Sequence, residues 1–268
     1  MKASTSFRDF IFGVLSSSLL FIGVLYATDH MTPFFCSPHT SKSTPQIIKS
    51  LDSKSFPHLS RSLQESIPIS EEVKAFQAAI QRDMEAKGRK NLVSAIPKGT
   101  IGMEIGVWRG EFSQLFVNVV EPKELHLADP WAFQPQFSHR LYGGSKGGNS
   151  RKQLGMDKIY SDVVERFKDV PSVQVHRNWS CTLQYVFEKD YFDWIYIDGN
   201  HYFDGAFADL CTTLKLVKVG GFLLGDDVEW KNDGGERSVE LALEHFLKFE
   251  KCAKKVAIGN NFVLQRVC

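Results

Sequence analysis

Residues 100–112, TIGMEIGVWRGEF, decide the fold. Ile101, Met103 and Ile105 make an apolar run that carries one acid, Glu104, near its end. Gly106 and Gly110 follow, and then Phe112, Leu115, Phe116 and Val119 recur at helical spacing. The pattern predicts a strand, a tight turn and a helix opening over the turn. Glycine permits the left-handed backbone and the close ligand approach that such a turn needs. The first turn of the helix presents free N–H groups to whatever binds there.

A dinucleotide fingerprint has the form G-x-G-x-x-G, in which the second glycine clears space for a pyrophosphate. Trp108 holds that place and is too large for the same approach. The turn therefore disfavours NAD and FAD and favours a nucleoside ligand without phosphates.

The composition allows an ordinary core: 43% of the 268 residues are hydrophobic and 24% are charged. The net charge of +1 supplies no basic field for nucleic acid. Five cysteines (Cys36, Cys181, Cys211, Cys252, Cys268) lack metal-ligand spacing and are odd in number. They are expected to be buried or free thiols rather than a disulfide framework.

Residues 1–9 form a short tail, and residues 10–28 carry no charge. At 1.5 Å per residue a helix of that length spans about 28 Å, close to the hydrocarbon core of a bilayer. The segment reads as a transmembrane signal anchor. A cleaved signal peptide, another targeting leader or a buried helix are the alternatives. Lys2 and Arg8 precede the span and no Lys or Arg follows until Lys42. The positive-inside rule then places the rest of the chain on the lumenal or extracytoplasmic side. Residues 29–69 are rich in Ser, Thr and Pro and read as a disordered stem. The folded domain is expected over residues 70–268, beginning with a helix capped by Ser70 and ending near Gly88.

Beyond the opening unit, residues 125–128 read as a strand ending in Asp129. Residues 132–155 have few periodic apolar positions and a glycine-rich patch. That patch is no P-loop, because no Gly-Lys-Ser/Thr closes it, and the segment reads as a lid. A helix (156–168), a strand (173–176), a short helix (180–188) and a strand (193–198) follow. Next come a helix (203–217), a turn at Gly220-Gly221, a strand (222–224), a helix (236–249) and a closing hairpin about Gly259-Asn260. Strands alternating with helices imply an α/β sheet covered on both faces. Glu104, Asp129, Asp198 and Asp226 fall at strand carboxyl ends, where ligands of such sheets bind.

Four stretches, EIGVWRGEFS, LHLADPW, FDWIYIDGNH and GGFLLGDD, occur in this order and resemble class I S-adenosyl-L-methionine (SAM) methyltransferases over residues 100–268. The resemblance implies a Rossmann-like, mostly parallel seven-stranded sheet in the order 3-2-1-4-5-7-6, ending in an antiparallel hairpin. It implies that Glu104, Gly106 and Gly110 line the methionine end of SAM. Asp129 would accept two ribose hydroxyls, a spacing that NAD sites share. Trp131 is a candidate adenine wall, and Ser180 also faces the adenine.

Asp198, Asp226 and Asp227 offer the oxygen ligands that suit Mg2+, as in metal-dependent relatives. His201 is the expected general base, since imidazole accepts a proton near neutrality. Some relatives carry a second acid two residues after the first; here Asn200 stands there and cannot accept a proton. Asn178-Trp179-Ser180 matches a glycosylation sequon but lies at the cofactor rim and is expected to be unmodified. The expected activity is methylation of a small-molecule or sugar hydroxyl by a membrane-anchored enzyme, with no nucleic-acid partner. A degenerate SAM-binding interaction domain and an NAD-dependent oxidoreductase are the competing readings. The sequence fixes neither the acceptor nor the oligomeric state.

Overall fold

The computed structural model describes Lys74 and residues 89–134 and 152–268. The tail, the apolar span and the stem lie outside the described residues, as do nearly all of the helix expected from Ser70 and residues 135–151 of the expected lid. Among the described residues no helix is long and apolar enough to cross a membrane.

Seven strands form one sheet: β1 (Ile101–Ile105), β2 (Glu124–Asp129), β3 (Val173–Arg177), β4 (Phe192–Ile197), β5 (Val217–Gly225), β6 (Ala253–Ile258) and β7 (Phe262–Arg266). Their order is β3-β2-β1-β4-β5-β7-β6. β1 to β5 pair in parallel, and β7 runs antiparallel to both β5 and β6. The helices are α1 (Arg89–Ala95), α2 (Glu111–Val120), α3 (Gln153–Phe167), α4 (Phe203–Thr213) and α5 (Ser238–Phe249), with a 3-10 turn over Ser180–Tyr185. This is the Rossmann-like, mostly parallel seven-stranded order with an antiparallel end that the resemblance implied.

Central parallel strands are buried on both faces, so they read as continuous apolar runs. β4 shows why. Trp194 and Tyr196 enter one core with Phe116 and Trp131, while Ile195 and Ile197 enter the other with Leu210 and Phe246. Alternate side chains of a strand point to opposite faces. Gly102 on β1 makes room for the indole of Trp194, since a Cβ there would lie 2.0 Å from that ring.

Several expectations needed correction. The helix predicted over 203–217 stops at Thr213, and a 3-10 turn over Leu214–Leu216 follows. Gly220-Gly221 does not turn into a strand but lies inside β5, where the register with β4 shifts. A Cβ on Gly221 would stand 2.6 Å from the Asp193 carbonyl oxygen. The glycines thus let the strand pass an irregularity instead of ending there. Helix α1 falls just before Pro97, in a segment read as connection.

The cysteines are not all thiols. Cys252 and Cys268 form a disulfide, their Cα atoms 4.9 Å apart. Cys181 is also disulfide-bonded, and Cys211 is free. Sequence spacing missed the Cys252–Cys268 pair because the β6–β7 hairpin creates it. Ala253 pairs with Arg266, which sets the two flanking cysteines side by side.

Candidate active site

The turn after β1 is built on left-handed backbone. Gly106 has φ +90° and a Cβ there would lie 2.0 Å from the Asp198 carbonyl oxygen, so only glycine lets the two strand ends touch. Gly110, φ +70°, caps the start of α2. Trp108 between them is also left-handed, φ 48°, an uncommon conformation for a bulky side chain.

Asp129 holds this turn in place. Its Oδ2 accepts the Trp108 backbone N–H at 3.0 Å and its Oδ1 accepts the Trp131 backbone N–H at 2.7 Å. The Trp131 indole N–H donates in turn to the Trp108 carbonyl at 2.8 Å. Asp129 is 2% exposed and Trp131 is fully buried, packed on Tyr160. Trp131 therefore supports the turn from the core side. Glu104 is buried too and accepts the Ser113 hydroxyl of α2.

Among the described residues the buried indole N–H of Trp108 has no hydrogen-bond partner. A buried donor without an acceptor is costly, and a polar ligand at the glycine turn would relieve it. That open donor, two buried carboxylates and the glycine turn fit a nucleoside carrying an amino acid, which is what SAM is.

The second half of the site lies at the ends of β4 and β5. His201 Nε2 stands 3.1 Å from Asp198 Oδ1 and 3.2 Å from Asp227 Oδ2. Facing two carboxylates, Nε2 carries a proton in the neutral ring as well as in the charged one, so Nδ1 is the nitrogen that gains or loses a proton. Burial pushes the His201 pKa down, but the hydrogen bond to Asp198 and the charges of Asp198, Asp227 and Asp226 outweigh it. The net result is a pKa above the ordinary histidine value.

Asp226 does not join them. It is 2% exposed, and its Oδ1 accepts the Asn261 side-chain amide at 2.9 Å and that of Asn260 at 3.4 Å. Its carboxylate is engaged by the turn of the closing hairpin. Asp198, His201 and Asp227 instead present ligand atoms within 4.8 Å of one another. That grouping fits a divalent cation, and an imidazole nitrogen in the set is more at home with a transition metal than with Mg2+.

Several neighbours went unread in the sequence. The Trp230 ring lies 5.6 Å from that of His201, and Tyr202 packs edge-on against Trp230 at 5.3 Å. The Tyr202 hydroxyl donates to Asp233 at 3.0 Å. The position of Trp230, three residues past Asp227, was the available signal. Ser180 opens the 3-10 turn after β3, and its hydroxyl favours the charged form of Asp209 of α4, another residue that periodicity treats as helix surface. Asn178 sits beside the rim, its backbone N–H donating to the Asp129 carbonyl at 3.1 Å.

The chain is similar to known proteins over part of its length. Residues 103–228 match a family model described as a methyltransferase domain. Solved structures similar to the chain include the O-methyltransferase NovP, at 14% identity and TM-score 0.44, covering 73% of this chain and 79% of that one. An rRNA methylase from Streptococcus thermophilus, at 9% identity and TM-score 0.43, covers 67% and 94%. The N-methyltransferase NodS from Bradyrhizobium japonicum WM9, at 12% and 0.41, covers 74% and 94%. Among curated proteins none matches. The matched segment runs from β1 through the glycine turn, Asp129, Asp198 and His201 to Asp227.

Proposed function

We propose that the protein is a SAM-dependent O-methyltransferase acting on a hydroxyl of a small molecule or sugar. The observation that carries this reading is His201 held between Asp198 and Asp227, across the sheet edge from the glycine turn and Asp129. Glu104, Gly106, Gly110, Asp129 and Ser180 would hold SAM, with Trp131 behind the turn. When bound, SAM supplies an electrophilic methyl on a sulfonium. Asp198 and Asp227 hold Nε2 of His201 in its N–H form, so Nδ1 accepts the proton of the attacking hydroxyl as the O–C bond forms and the C–S bond breaks. Asp198 and Asp227 stabilise the resulting imidazolium. The site contributes alignment and exclusion of water as well.

Asp198, Asp227 and His201 are also the residues that would hold a divalent cation, whose Lewis acidity would lower the pKa of the acceptor hydroxyl. The two roles of His201 exclude each other, because the base needs a proton on Nε2 and a cation held with Asp198 and Asp227 needs that nitrogen bare. Asp226 supports this cluster by its charge from behind.

The anchor over residues 10–28 and a lumenal or extracytoplasmic catalytic domain complete the proposal. Two observations support the compartment: the Cys252–Cys268 disulfide and the disulfide-bonded state of Cys181. Disulfides persist in oxidising compartments and are rare in the cytosol. The test is an untargeted metabolite comparison of cells with and without the protein. A compound heavier by one methylene unit only in the presence of active protein is expected. Identical profiles, together with no methyl transfer from SAM to any hydroxyl panel in vitro, would sink the proposal.

A further inference from the structure

Asp209 is a carboxylate with no evident reason to be where it is. It lies in the middle of α4, 4% exposed, on a helix that otherwise packs on the sheet through apolar residues such as Ala206 and Leu210. Burying a carboxyl costs free energy that a hydrophobic side chain of similar size would not incur. Packing therefore does not account for an acid at this position.

Its surroundings do. On one side the Ser180 hydroxyl, on the first residue of the 3-10 turn after β3, favours the charged form of the Asp209 carboxyl. On the other side lies Gly199, the residue between Asp198 and the Asn200-His201 pair. A Cβ on Gly199 would come within 3.1 Å of Asp209 Oδ2, so the bare glycine lets the loop rest directly on the carboxylate. Burial pushes the Asp209 pKa up to about 7, while the Ser180 hydroxyl and the His201 charge pull it back down. The same carboxyl thus touches the segment expected at the adenine end of the cofactor and the loop that presents the base.

We propose that Asp209 is a positioning residue, which fixes the Ser180 hydroxyl at the adenine end of the SAM site and seats the Asp198–His201 loop from below. This rests on the SAM reading above. Asp209 touches neither cofactor nor acceptor; it acts through Ser180 and Gly199.

A double-mutant cycle on SAM affinity tests it, with the full-length protein, calorimetry, and thermal unfolding to confirm that each variant is folded. Asp209→Ala should weaken SAM about tenfold, the size of one lost buried hydrogen bond. Asp209→Asn keeps an oxygen that accepts the Ser180 proton and should stay within about twofold of wild type by the same reasoning. Ser180→Ala should cost about as much as Asp209→Ala, and the double variant little more than either, since the two act as one unit.

A purely structural Asp209 would give additive losses, and that outcome overturns the proposal, as does wild-type SAM affinity in folded Asp209→Ala. Should Asp209→Ala not fold, Ser180→Ala decides at its half-buried position: unchanged SAM affinity there defeats the proposal. Absence of SAM binding by the unaltered protein would instead defeat the cofactor reading, and this one with it.

Discussion

The Nε2 of His201 lies 3.2 Å from Asp227 Oδ2, joining a loop after β4 to the residue that follows the Gly225-Asp226 end of β5. With Asp198 on the same nitrogen at 3.1 Å, the imidazole is held by two acids from neighbouring strand ends. Carboxylates so placed hold the proton on His201 and raise its pKa, despite burial that works the other way. On the proposed mechanism the base must first lose that proton, so the pair of acids would set the pH dependence of turnover.

Turnover should therefore rise with pH through one ionisation that lies above the ordinary histidine value of about 6.5. Asp227→Asn removes one of the raising charges and should move that midpoint to lower pH. His201→Ala should lower kcat by ~10²–10⁴ and abolish the step, with SAM affinity near wild type. A pH–rate profile of the three proteins checks this; an unchanged midpoint in Asp227→Asn would mean that His201 is not the titrating group.

Metal removal separates the two roles of His201. If a divalent cation activates the acceptor, chelation should abolish turnover. Asp227→Ala should then be more damaging than Asp226→Ala, because the Asp226 carboxylate is engaged by Asn260 and Asn261. If His201 is the base, turnover should survive chelation. Equal sensitivity of Asp226 and Asp227 to substitution would contradict the geometry of the cluster.

Acid stability should depend on a pair of histidines outside the proposed catalytic cluster. His126 Nδ1 and His176 Nε2 are 2.9 Å apart, and Glu124, bonded by the Tyr191 hydroxyl at 2.7 Å, faces His126. Burial pushes both histidines down, His176 to about 4, with the His126 charge adding to the effect. Their folded pKa values lie below the unfolded value of about 6.5, so they are neutral in the fold. The stability tied to them is full above that value and is lost as pH falls from there toward about 4. Urea midpoints measured across this range should fall less steeply in His176→Gln than in wild type. Parallel curves would remove the pair from the account.

Cys268→Ser should lower stability by about 3 kcal/mol, the loop-closure value for a disulfide enclosing ~15 residues. The Cys252–Cys268 separation of 16 falls in that range. Denaturant melts of the two proteins check it, with unchanged SAM affinity expected because the bond lies at the β6–β7 end of the sheet. A midpoint identical to wild type would show that the hairpin closes this end without help.

The architecture was legible because its signals are local. Ile101 to Val119 shows a period of two giving way to helical spacing, and the acids at the ends of β1, β2 and β4 stand beside turn residues. What sequence could not supply depends on contacts between distant segments. Asp226 and Asp227 are neighbours with different partners, and the pairing of Gly225 with Phe262 on β7 brings Asn260 and Asn261 to Asp226. Gly220-Gly221 looks like a turn until the irregular pairing of β4 with β5 is seen. Asp209 reads as a solvated helix position because nothing nearby in sequence announces Ser180 or Gly199. The cysteine pair is a product of the β6–β7 register.

SAM binding at the glycine turn and Asp129 is read out by calorimetry of the full-length protein with SAM and with NAD(H), repeated on Asp129→Ala. SAM should bind, NAD(H) should not, and Asp129→Ala should weaken SAM by about 1–3 kcal/mol, the cost of leaving polar partners unmatched. Binding of NAD(H) alone, or SAM affinity unchanged in a folded Asp129→Ala, would overturn the SAM assignment.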